Sequence, residues 1–342
     1  MLVTGATGMV GSRLVLDLIE AGYDVRAIYR DKKRIDQFIK NIECYGINSD
    51  LYTQSVEWVE ADLLDYIQLT KALEGIEMVF HCAAMVSFHP SERSRMFDNN
   101  INGTSNLVNI CLDKGIKKIC YVSSIAALGK TDNGELIDEE TSWIPEKKHS
   151  GYSISKFHSE MEIWRGVNEG LEAVIVNPSV IIGPGDWSSG SPAFFSMIGK
   201  GLKFFSDGVN GFVDVRDVTK AMLLLTNESN IEKAKNNRFL LNSTNISYES
   251  FFKIIAASIS VEPPKHHASK IMLEIGWRVA SFIGFFTRTK PQITKETVQS
   301  ATGKSVYNGS KITREFGFQY RLIEDSITEI GAMFLKTKKS SR

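Results

Sequence analysis

At 342 residues, the chain is long enough to bury a large core, as one unit or as two domains. Hydrophobic residues make up 43% and charged residues 23%, an ordinary balance for a soluble globular protein. The 40 basic residues equal the 40 acidic residues in number, which argues against a nucleic-acid-binding protein and against attraction to an anionic membrane.

The cysteines show neither the paired spacing of a metal site nor the density of a disulfide scaffold. They are Cys44, Cys82, Cys111 and Cys120. The chain opens on a glycine-rich motif in residues 1–11 rather than on a charged and apolar leader. These features predict mostly buried thiols, no metal and a cytoplasmic location.

Apolar runs alternate with helical patterns through the first half of the chain, which is typical of βαβ units around a parallel sheet. A first strand in residues 1–5 leads into a helix that stops near Gly22. A later helix is predicted at 102–115, with Gly115 as its cap. Further strands are predicted at 24–30, 56–63, 78–84, 117–124 and 172–186.

The pattern loosens in the second half. Residues 187–211 are rich in Gly, Ser and Phe, and residues 212–226 lead into another helix. A late strand is predicted at 237–243, and mainly helical patterns follow from residue 247. The tail at 336–342 is predicted to be disordered.

One strongly apolar segment, 271–286, is shorter than the roughly 20 residues that a membrane-spanning helix needs. It also contains Glu274 and Arg278. The composition favours a helix that packs in the core or covers a pocket, and a helix that lies on a membrane or a partner is the alternative.

A glycine triplet separates the first predicted strand from the first helix, in the sequence "TGATGMVG". Such a turn lets backbone N–H groups approach a pyrophosphate, and the helix N-terminus adds the positive end of its dipole. A glycine-rich turn without a ligand is the alternative, but the position at the start of a βαβ series favours dinucleotide binding. The predicted contacts are Gly5, Thr7, Gly8, Met9, Val10 and Gly11.

Two later strand ends fit the same binding mode. Asp62 and Leu63 lie at the end of the third predicted strand, where an adenine would lie, although Asp62 could also be a helix N-cap. Ala83 and Ala84 end the fourth predicted strand, and their small side chains would let a cofactor pass close to the backbone.

The spacing Tyr-x-x-x-Lys places two side chains on one face of a helix, so it can form a catalytic pair. The spacing alone does not choose among its occurrences, although in a strand, as predicted around Tyr29, it does not bring the two side chains together. The occurrences are Tyr29/Lys33, Tyr152/Lys156 and Tyr307/Lys311.

In combination, these motifs resemble the extended short-chain dehydrogenase/reductases, that is, the NAD(P)-dependent epimerase/dehydratase group. The sequence is most similar to the branch of dihydroflavonol reductases and 3β-hydroxysteroid dehydrogenases, over nearly the whole chain. The motifs that carry the resemblance are "TGATGMVG", "VFHCAA", "NNINGT", "VSSIAALG", "YSISK", "VNPSVIIGPGD", "FVDVRDV" and "GSKITREFGF".

The resemblance implies an α/β fold, with a doubly wound parallel (Rossmann) sheet and a smaller, mainly helical C-terminal substrate domain. It places the dinucleotide-binding domain at 1–178 and 212–243, and the substrate domain at 179–211 and 244–335. A homodimer is usual in the family and is expected here only by analogy.

The resemblance selects Tyr152 as the acid or base and Lys156 as its partner, which would also hold the nicotinamide ribose. Alignment on Gly129 makes Ser124, rather than Ser123, the hydroxyl that orients the substrate oxygen. Asn100 matches an asparagine that supports the site, and a helix N-cap is its alternative role.

Five further residues concern the nicotinamide and the type of reaction. Residues 177–179 (Asn177, Pro178 and Ser179) match the loop that reads the carboxamide, although they could simply end a strand. Ile125 and Ala126 stand where sugar-nucleotide dehydratases carry Asp and Glu, so the resemblance argues against elimination chemistry.

The cofactor preference depends on the end of the second strand. NAD-specific members carry an acidic residue there, whereas this chain has Arg30, with Asp31 one place too late. A guanidinium can meet a 2′-phosphate with paired hydrogen bonds, so NADP is expected and NAD is the alternative. A solvated charged loop at 30–34 is the other explanation.

The sequence therefore predicts an enzyme that interconverts a carbonyl and a secondary alcohol on a small, fairly apolar substrate. A nucleotide-sugar epimerase that works through a keto intermediate is the first alternative. A binding protein that senses NAD(P) without catalysis is the second, and the presence of Ser124, Tyr152 and Lys156 argues against it.

Overall fold

The computed structural model describes residues 1–131, 135–145, 149–287 and 294–340, with the side chains of 279–287 and 339–340 left out of the description. The strands in this part of the chain are β1 (Leu2–Thr4), β2 (Val25–Tyr29), β3 (Val56–Glu60), β4 (Met78–His81), β5 (Lys118–Val122), β6 (Leu136–Ile137), β7 (Glu172–Pro178), β8 (Val180–Ile182), β9 (Phe204–Phe205), β10 (Val209–Asp214), β11 (Asn237–Leu241), β12 (Thr244–Ser247), β13 (His266–His267) and β14 (Val306–Tyr307).

The α-helices connect and cover these strands. In chain order they are α1 (Met9–Glu20), α2 (Ile35–Glu43), α3 (Ser49–Gln54), α4 (Tyr66–Ala72), α5 (Arg93–Phe97), α6 (Gly103–Lys114), α7 (Gly151–Asn168), α8 (Ala193–Gly199), α9 (Val215–Thr226), α10 (Ile231–Ala234), α11 (Tyr248–Ser258), α12 (Lys270–Thr287), α13 (Lys295–Thr302), α14 (Ser310–Phe316) and α15 (Ile323–Ser340).

The main sheet has the strand order β11-β7-β5-β4-β1-β2-β3, and its neighbouring strands are parallel. From β1 the chain adds β2 and β3 on one side, and it then adds β4, β5, β7 and β11 on the other side, so the strand order reverses between β1 and β4. In doubly wound sheets, ligands bind at this switch point, outside the carboxyl ends of the strands. The loops after β1, β4, β5 and β7 all emerge at that edge.

The strands read as continuous apolar runs because both faces of the sheet are buried. Successive side chains point to opposite faces: Leu2 and Val79 join one core with α4, α6 and α7. Val3 and Phe80, each one residue further along, join the other core with α1, α2 and α9. This arrangement confirms the predicted α/β doubly wound fold.

A third core lies outside the main sheet and belongs to the smaller part of the molecule. It is formed mainly by α8, α11 and α15 against β8, β10 and β12, and aromatic residues fill much of it. Phe212 and Phe251 stack with ring centroids 4.2 Å apart and are fully buried. The predicted division into two domains stays a prediction as far as its boundaries are concerned.

Several predicted element ends are corrected by the structure. The third strand stops at Glu60 rather than at residue 63, and the predicted strand at 172–186 is divided into β7 and β8. The predicted helix end at Gly115 is confirmed, since this residue has a left-handed φ of 70°. The last helix continues to Ser340, so 336–340 are helical where disorder was predicted. Residues 341–342 lie outside the described residues.

The apolar segment 271–286 lies within helix α12, but the prediction that it packs in the core is not met by its first two turns. Ile271 is 73% exposed and Ile275 is 57% exposed, and Met272 is exposed as well. No helix in the described part of the chain is both long enough and apolar enough to cross a membrane.

The cysteines are free thiols. Cys111 and Cys120 are buried, whereas Cys44 and Cys82 are only partly buried, so the prediction of buried thiols is confirmed for the first two.

Candidate active site

The glycine loop between β1 and α1 is shaped by close backbone contacts. Gly5 has a left-handed φ of 67°, and a Cβ there would lie 2.7 Å from the Ala83 backbone. A Cβ at Gly11 would lie 2.2 Å from the Gly5 carbonyl oxygen. Since real contacts of this kind are never so short, the loop and the first turn of α1 can approach each other only with glycine at both positions.

The N-terminus of α1 is open to an anion. Gly8 is the N-cap, no side chain caps the helix, and its first turn contains no acidic residue. A helix start with free N–H groups and no competing carboxylate is suited to a pyrophosphate, so the residues present fit a dinucleotide. Thr7, Met9 and Val10 lie in the loop and the first turn, as predicted.

A buried asparagine that sequence analysis did not identify holds this loop from α2. The Asn41 side-chain nitrogen donates to the Thr7 carbonyl at 3.4 Å and to Ser12 Oγ at 3.1 Å. Asn41 is 3% exposed. Its position in the sequence gave no signal, because the contact joins residues far apart in the chain.

A buried polar chain fixes the ends of β1 and β4. The Ala83 amide donates to Thr4 Oγ1 at 3.1 Å, and Thr4 Oγ1 lies 2.7 Å from His81 Nδ1. His81 Nε2 lies 3.0 Å from Thr104 Oγ1, whose hydroxyl donates to the Asn100 carbonyl. Burial lowers the pKa of His81 to about 3. The ring is therefore neutral, with its proton on Nε2, because the Thr104 proton is already donated.

The residues predicted to face the adenine lie in the turn after β3. Asp62 Oδ1 accepts a hydrogen bond from the Leu64 amide, and Leu63 packs close to Gly103 at the start of α6. The N-cap of the following helix is Asp65, not Asp62. This removes the alternative role for Asp62. Ala84 is exposed at the same edge of the sheet, after β4.

Arg30 follows β2 and is exposed. Its Nη1 donates to Asn99 Oδ1 at 2.6 Å, which holds the guanidinium next to the helical segment before α6. Asp31 instead caps the short turn Lys32–Arg34 by accepting from the Lys33 amide. The carboxylate of Asp31 is thus used inside its own loop.

Helix α7 begins beside the end of β5 and carries both members of the predicted catalytic pair. Ser150 caps it by accepting from the Ser153 amide, so Tyr152 lies in the first turn and Lys156 one turn later. The rival tyrosines lie elsewhere. Tyr29 ends strand β2, and Tyr307 lies in β14, paired with the short strand β6.

Ser123 and Ser124 point to different partners. Ser123 Oγ donates to a buried carboxylate, Glu160 Oε2, at 2.5 Å. Ser124 Oγ accepts from the Ala126 amide at 3.1 Å and forms a hydrogen bond with the Tyr152 phenol. Burial raises the pKa of Tyr152 above its usual value, and the hydrogen bond with Ser124 acts in the opposite direction.

The ammonium of Lys156 is held beneath the end of β5. Its Nζ donates to the Tyr121 hydroxyl at 2.7 Å and to the Val122 carbonyl at 2.9 Å. Burial lowers the pKa of Lys156 to about 7. Tyr121 was not identified from the sequence, because a tyrosine in a buried strand pattern is indistinguishable from a core residue.

Asn100 lies inside a π-helical turn, Asp98–Asn102, and is not an N-cap. Its side chain accepts from the Met85 amide at 2.7 Å and donates to the Met85 carbonyl and to Ser155 Oγ. Asn100 thereby joins the loop after β4 to α7 near Tyr152. Its part in catalysis stays a prediction.

The segment after β5 is tied to the end of β7. Asn177 Nδ2 donates to the Ser124 carbonyl at 3.1 Å and to Glu160 Oε2 at 2.8 Å. Pro178 ends β7, and the Ser179 amide donates to the Leu241 carbonyl, so these residues do end a strand. Their predicted contact with a nicotinamide is compatible with this position and stays a prediction.

A sequence model of the NAD dependent epimerase/dehydratase family matches residues 1–238, which contain the glycine loop and the Tyr152–Lys156 helix. The chain belongs to this family. It is an NAD(P)-dependent oxidoreductase of the extended short-chain dehydrogenase/reductase type, so the predicted family, enzyme class and cofactor class are confirmed.

Several curated relatives carry reductase names. A Synechocystis protein named provisionally as a dihydroflavonol 4-reductase is 28% identical over 333 residues, covering 96% of this chain and 92% of the relative. Cinnamoyl-CoA reductase 1 of Petunia hybrida is 30% identical over 236 residues, covering 65% of this chain and 67% of the relative. Among solved structures, the protein gox2253 superposes with a TM-score of 0.79 at 27% identity, covering 98% of both chains.

Proposed function

We propose that the protein reduces a carbonyl on a small, fairly apolar molecule to a secondary alcohol, or performs the reverse reaction, with Tyr152 as the proton donor or acceptor. The observation that carries the proposal is that Ser124, Tyr152 and Lys156 come together at the sheet edge where the glycine loop opens. The reductase names of the relatives support it.

The roles of the side chains follow from their positions. A bound nicotinamide supplies the hydride, or accepts it in the reverse direction. Tyr152 gives the substrate oxygen its proton, and the raised pKa of Tyr152 keeps the phenol protonated and ready to donate. The Ser124 hydroxyl turns toward the same oxygen and stabilises the charge that develops on it.

Lys156 lies one turn after Tyr152, and its contacts with the Tyr121 hydroxyl and the Val122 carbonyl fix its amine beneath the end of β5. In the proposed mechanism the amine holds the nicotinamide ribose, and because Lys156 is buried its protonated form is only weakly screened.

The surroundings of Tyr152 favour an apolar substrate. Phe88 meets the Tyr152 ring edge-on, with centroids 5.9 Å apart, and Val86 on the same loop is 59% exposed. Ile125 and Ala126 follow Ser124 and carry no proton that could be transferred, which argues against elimination of water from a sugar.

The test is an assay of the purified protein with NADPH against ketones and aldehydes, with NADP⁺ against alcohols, and with UDP-sugars. A net change in the absorbance of the reduced nicotinamide with an apolar carbonyl compound supports the proposal. Conversion of a UDP-sugar to its epimer without such a change would replace it with an epimerase. Cofactor binding without any turnover would indicate a sensor.

The two adjacent serines give a matched pair of variants. We expect Ser124→Ala to lower kcat by about 10²-fold, as for the loss of one donor to a developing oxyanion. Ser123→Ala should have a much smaller effect, because that hydroxyl donates to Glu160 rather than to the reacting atoms. Steady-state kinetics with the best substrate measure both. A larger loss in Ser123→Ala would reverse the assignment.

The cofactor preference is tested at Arg30. We expect wild type to bind NADPH more tightly than NADH by roughly 1–3 kcal/mol, the scale of hydrogen bonds to a charged group. Arg30→Ala should remove most of this preference and leave NADH affinity little changed, because the guanidinium is exposed and its loss leaves no buried group unpaired. Titration calorimetry with both cofactors measures it. Equal affinities in wild type would contradict the role of Arg30.

A further inference from the structure

Glu160 is a buried carboxylate on the catalytic helix, one turn after Lys156, and is only 1% exposed. Its Oε2 accepts from Ser123 Oγ at 2.5 Å and from Asn177 Nδ2 at 2.8 Å. Its Oε1 accepts from Trp164 Nε1 and from Arg238 Nη1, both at 3.3 Å. The carboxylate thus joins α7 to the residue after β5, to β7 near its end and to the start of β11.

Burying a charged group is costly unless hydrogen bonds and an opposite charge compensate for the lost water. Two opposite charges lie near Glu160: Arg238, whose side chain is 23% exposed and whose Nε also donates to the Glu139 carbonyl, and Lys156, whose pKa the Glu160 charge raises. An apolar side chain at position 160 would avoid this cost. Packing alone therefore does not explain a carboxylate at this position, and its hydrogen bonds indicate that it holds neighbouring groups in place.

The Asn177 side chain connects Glu160 to the Ser124 backbone. Its side-chain nitrogen faces two acceptors, Glu160 Oε2 and the Ser124 carbonyl, so the NH₂ group and not the oxygen must point toward them. A fixed negative charge at Glu160 is what makes this orientation of the amide the favourable one. The Ser124 backbone is thereby held through its carbonyl.

The same carboxylate also accepts the hydrogen bond of the neighbouring Ser123 hydroxyl. Because Ser123 Oγ donates to Glu160, only Ser124 is left with a hydroxyl directed toward Tyr152. Glu160 therefore acts on both serines. It binds the Ser123 hydroxyl directly, and it acts on the Ser124 backbone carbonyl through Asn177.

We propose that Glu160 is a positioning residue, which orients the Asn177 amide so that it holds the Ser124 backbone and keeps the Ser124 hydroxyl against Tyr152. The proposal rests on the function proposed above for Ser124 and Tyr152. It assigns to Glu160, Asn177 and Arg238 a role in turnover that acts through Ser124 and not through contact with substrate or cofactor.

Glu160→Gln is the test because it keeps the shape and removes one acceptor. Whichever way the new amide turns, its NH₂ group meets either Asn177 Nδ2 or the Trp164 and Arg238 donors. If Asn177 turns over to accept from it, the Ser124 carbonyl loses its donor. We expect kcat to fall about 10-fold, within the range measured for residues that share one network. Because the Glu160 charge also raises the pKa of Lys156, kcat is compared below pH 7, where Lys156 is protonated in wild type, and the KM for NADPH there should change less than about threefold.

A double-mutant cycle shows whether the effect passes through Asn177. If it does, Asn177→Ala should lower kcat by a similar factor, and the double variant should lose little more than either single variant. Trp164→Phe is the matched control, since it removes a donor from Glu160 on the side away from Ser124. It should keep kcat within about twofold even if the melting temperature falls. Additive losses in the cycle, or an equal loss in Trp164→Phe, would overturn the proposal.

A crystal structure of Glu160→Gln gives a readout that does not depend on turnover. We expect the contact between Asn177 Nδ2 and the Ser124 carbonyl, 3.1 Å in the native chain, to be broken. Should Glu160→Gln fail to fold, the structure and kinetics of Asn177→Ala decide the matter. A wild type that turns over no carbonyl compound would refute the proposed function, whereas full activity in Glu160→Gln with loss in Tyr152→Phe would refute only the role of Glu160.

Discussion

Tyr152→Phe is expected to bind NADPH almost as wild type does and to lose on the order of 10²–10⁴ in turnover, the range for a positioned acid or base. Phenylalanine keeps the ring and its edge contact with Phe88, so the local packing should survive. The change removes the proton that the substrate oxygen needs and the hydrogen bond with Ser124. Single-turnover kinetics separate this chemical step from cofactor binding.

The rival tyrosines supply the controls. Tyr29 packs at the end of β2 with its ring 6.4 Å from that of Trp58, and Tyr307 lies in β14. Tyr29→Phe and Tyr307→Phe should leave the chemical step largely intact, since neither residue lies with Ser124 and Lys156 in the candidate active site. A Tyr152→Phe enzyme within a fewfold of wild type would exclude Tyr152 as the acid.

The fold was predictable because a parallel sheet imposes its pattern on the local sequence. Strands such as β4 and β5 are buried on both faces, and their apolar runs therefore stand out from the helices between them. The ends of the strands were less predictable. The run at 172–186 is apolar throughout, and only the backbone shows that it bends after Pro178 to pair with a different sheet.

The parts of the site that depend on neighbours in sequence were predictable, and those that depend on distant partners were not. The glycine spacing and the Tyr152–Lys156 spacing are local and are seen directly in the sequence. Tyr121 contacts Lys156, 35 positions away, and Asn177 contacts Glu160, 17 positions away, and no local pattern records either contact. Glu160 had one signal, its place four residues after Lys156 on the same helix, but three of its four partners come from other elements: Ser123 after β5, Asn177 in β7 and Arg238 in β11.

Lys156 offers a second large effect, one that separates catalysis from stability. Lys156→Met keeps a side chain of similar length and removes the ammonium. We expect turnover to fall by on the order of 10²–10³, the scale of removing one electrostatic group from an active site. Binding of NADPH should weaken as well, because Lys156 is the residue expected to hold the nicotinamide ribose.

The difference in stability between wild type and Lys156→Met should depend on pH. Burial lowers the pKa of Lys156 from 10.5 to about 7 in the folded state, whereas in the unfolded chain the amine keeps its usual pKa. Between pH 7 and 10.5 the unfolded wild type therefore binds more protons than the folded one. Stability rises with pH wherever the unfolded state binds more protons. Below pH 7 both states carry the proton and this contribution is flat.

Urea unfolding of the cofactor-free proteins across this pH range tests the expectation. The free energy of unfolding of wild type, relative to Lys156→Met, should increase with pH above neutrality by up to about 1.4 kcal/mol per pH unit. Lys156→Met also loses the donor to the Tyr121 hydroxyl and the Val122 carbonyl. This loss shifts the difference in free energy of unfolding by the same amount at every pH. Parallel stability curves for the two proteins would mean that Lys156 keeps its usual pKa in the fold, and the buried ammonium would then have to be compensated by its contacts alone.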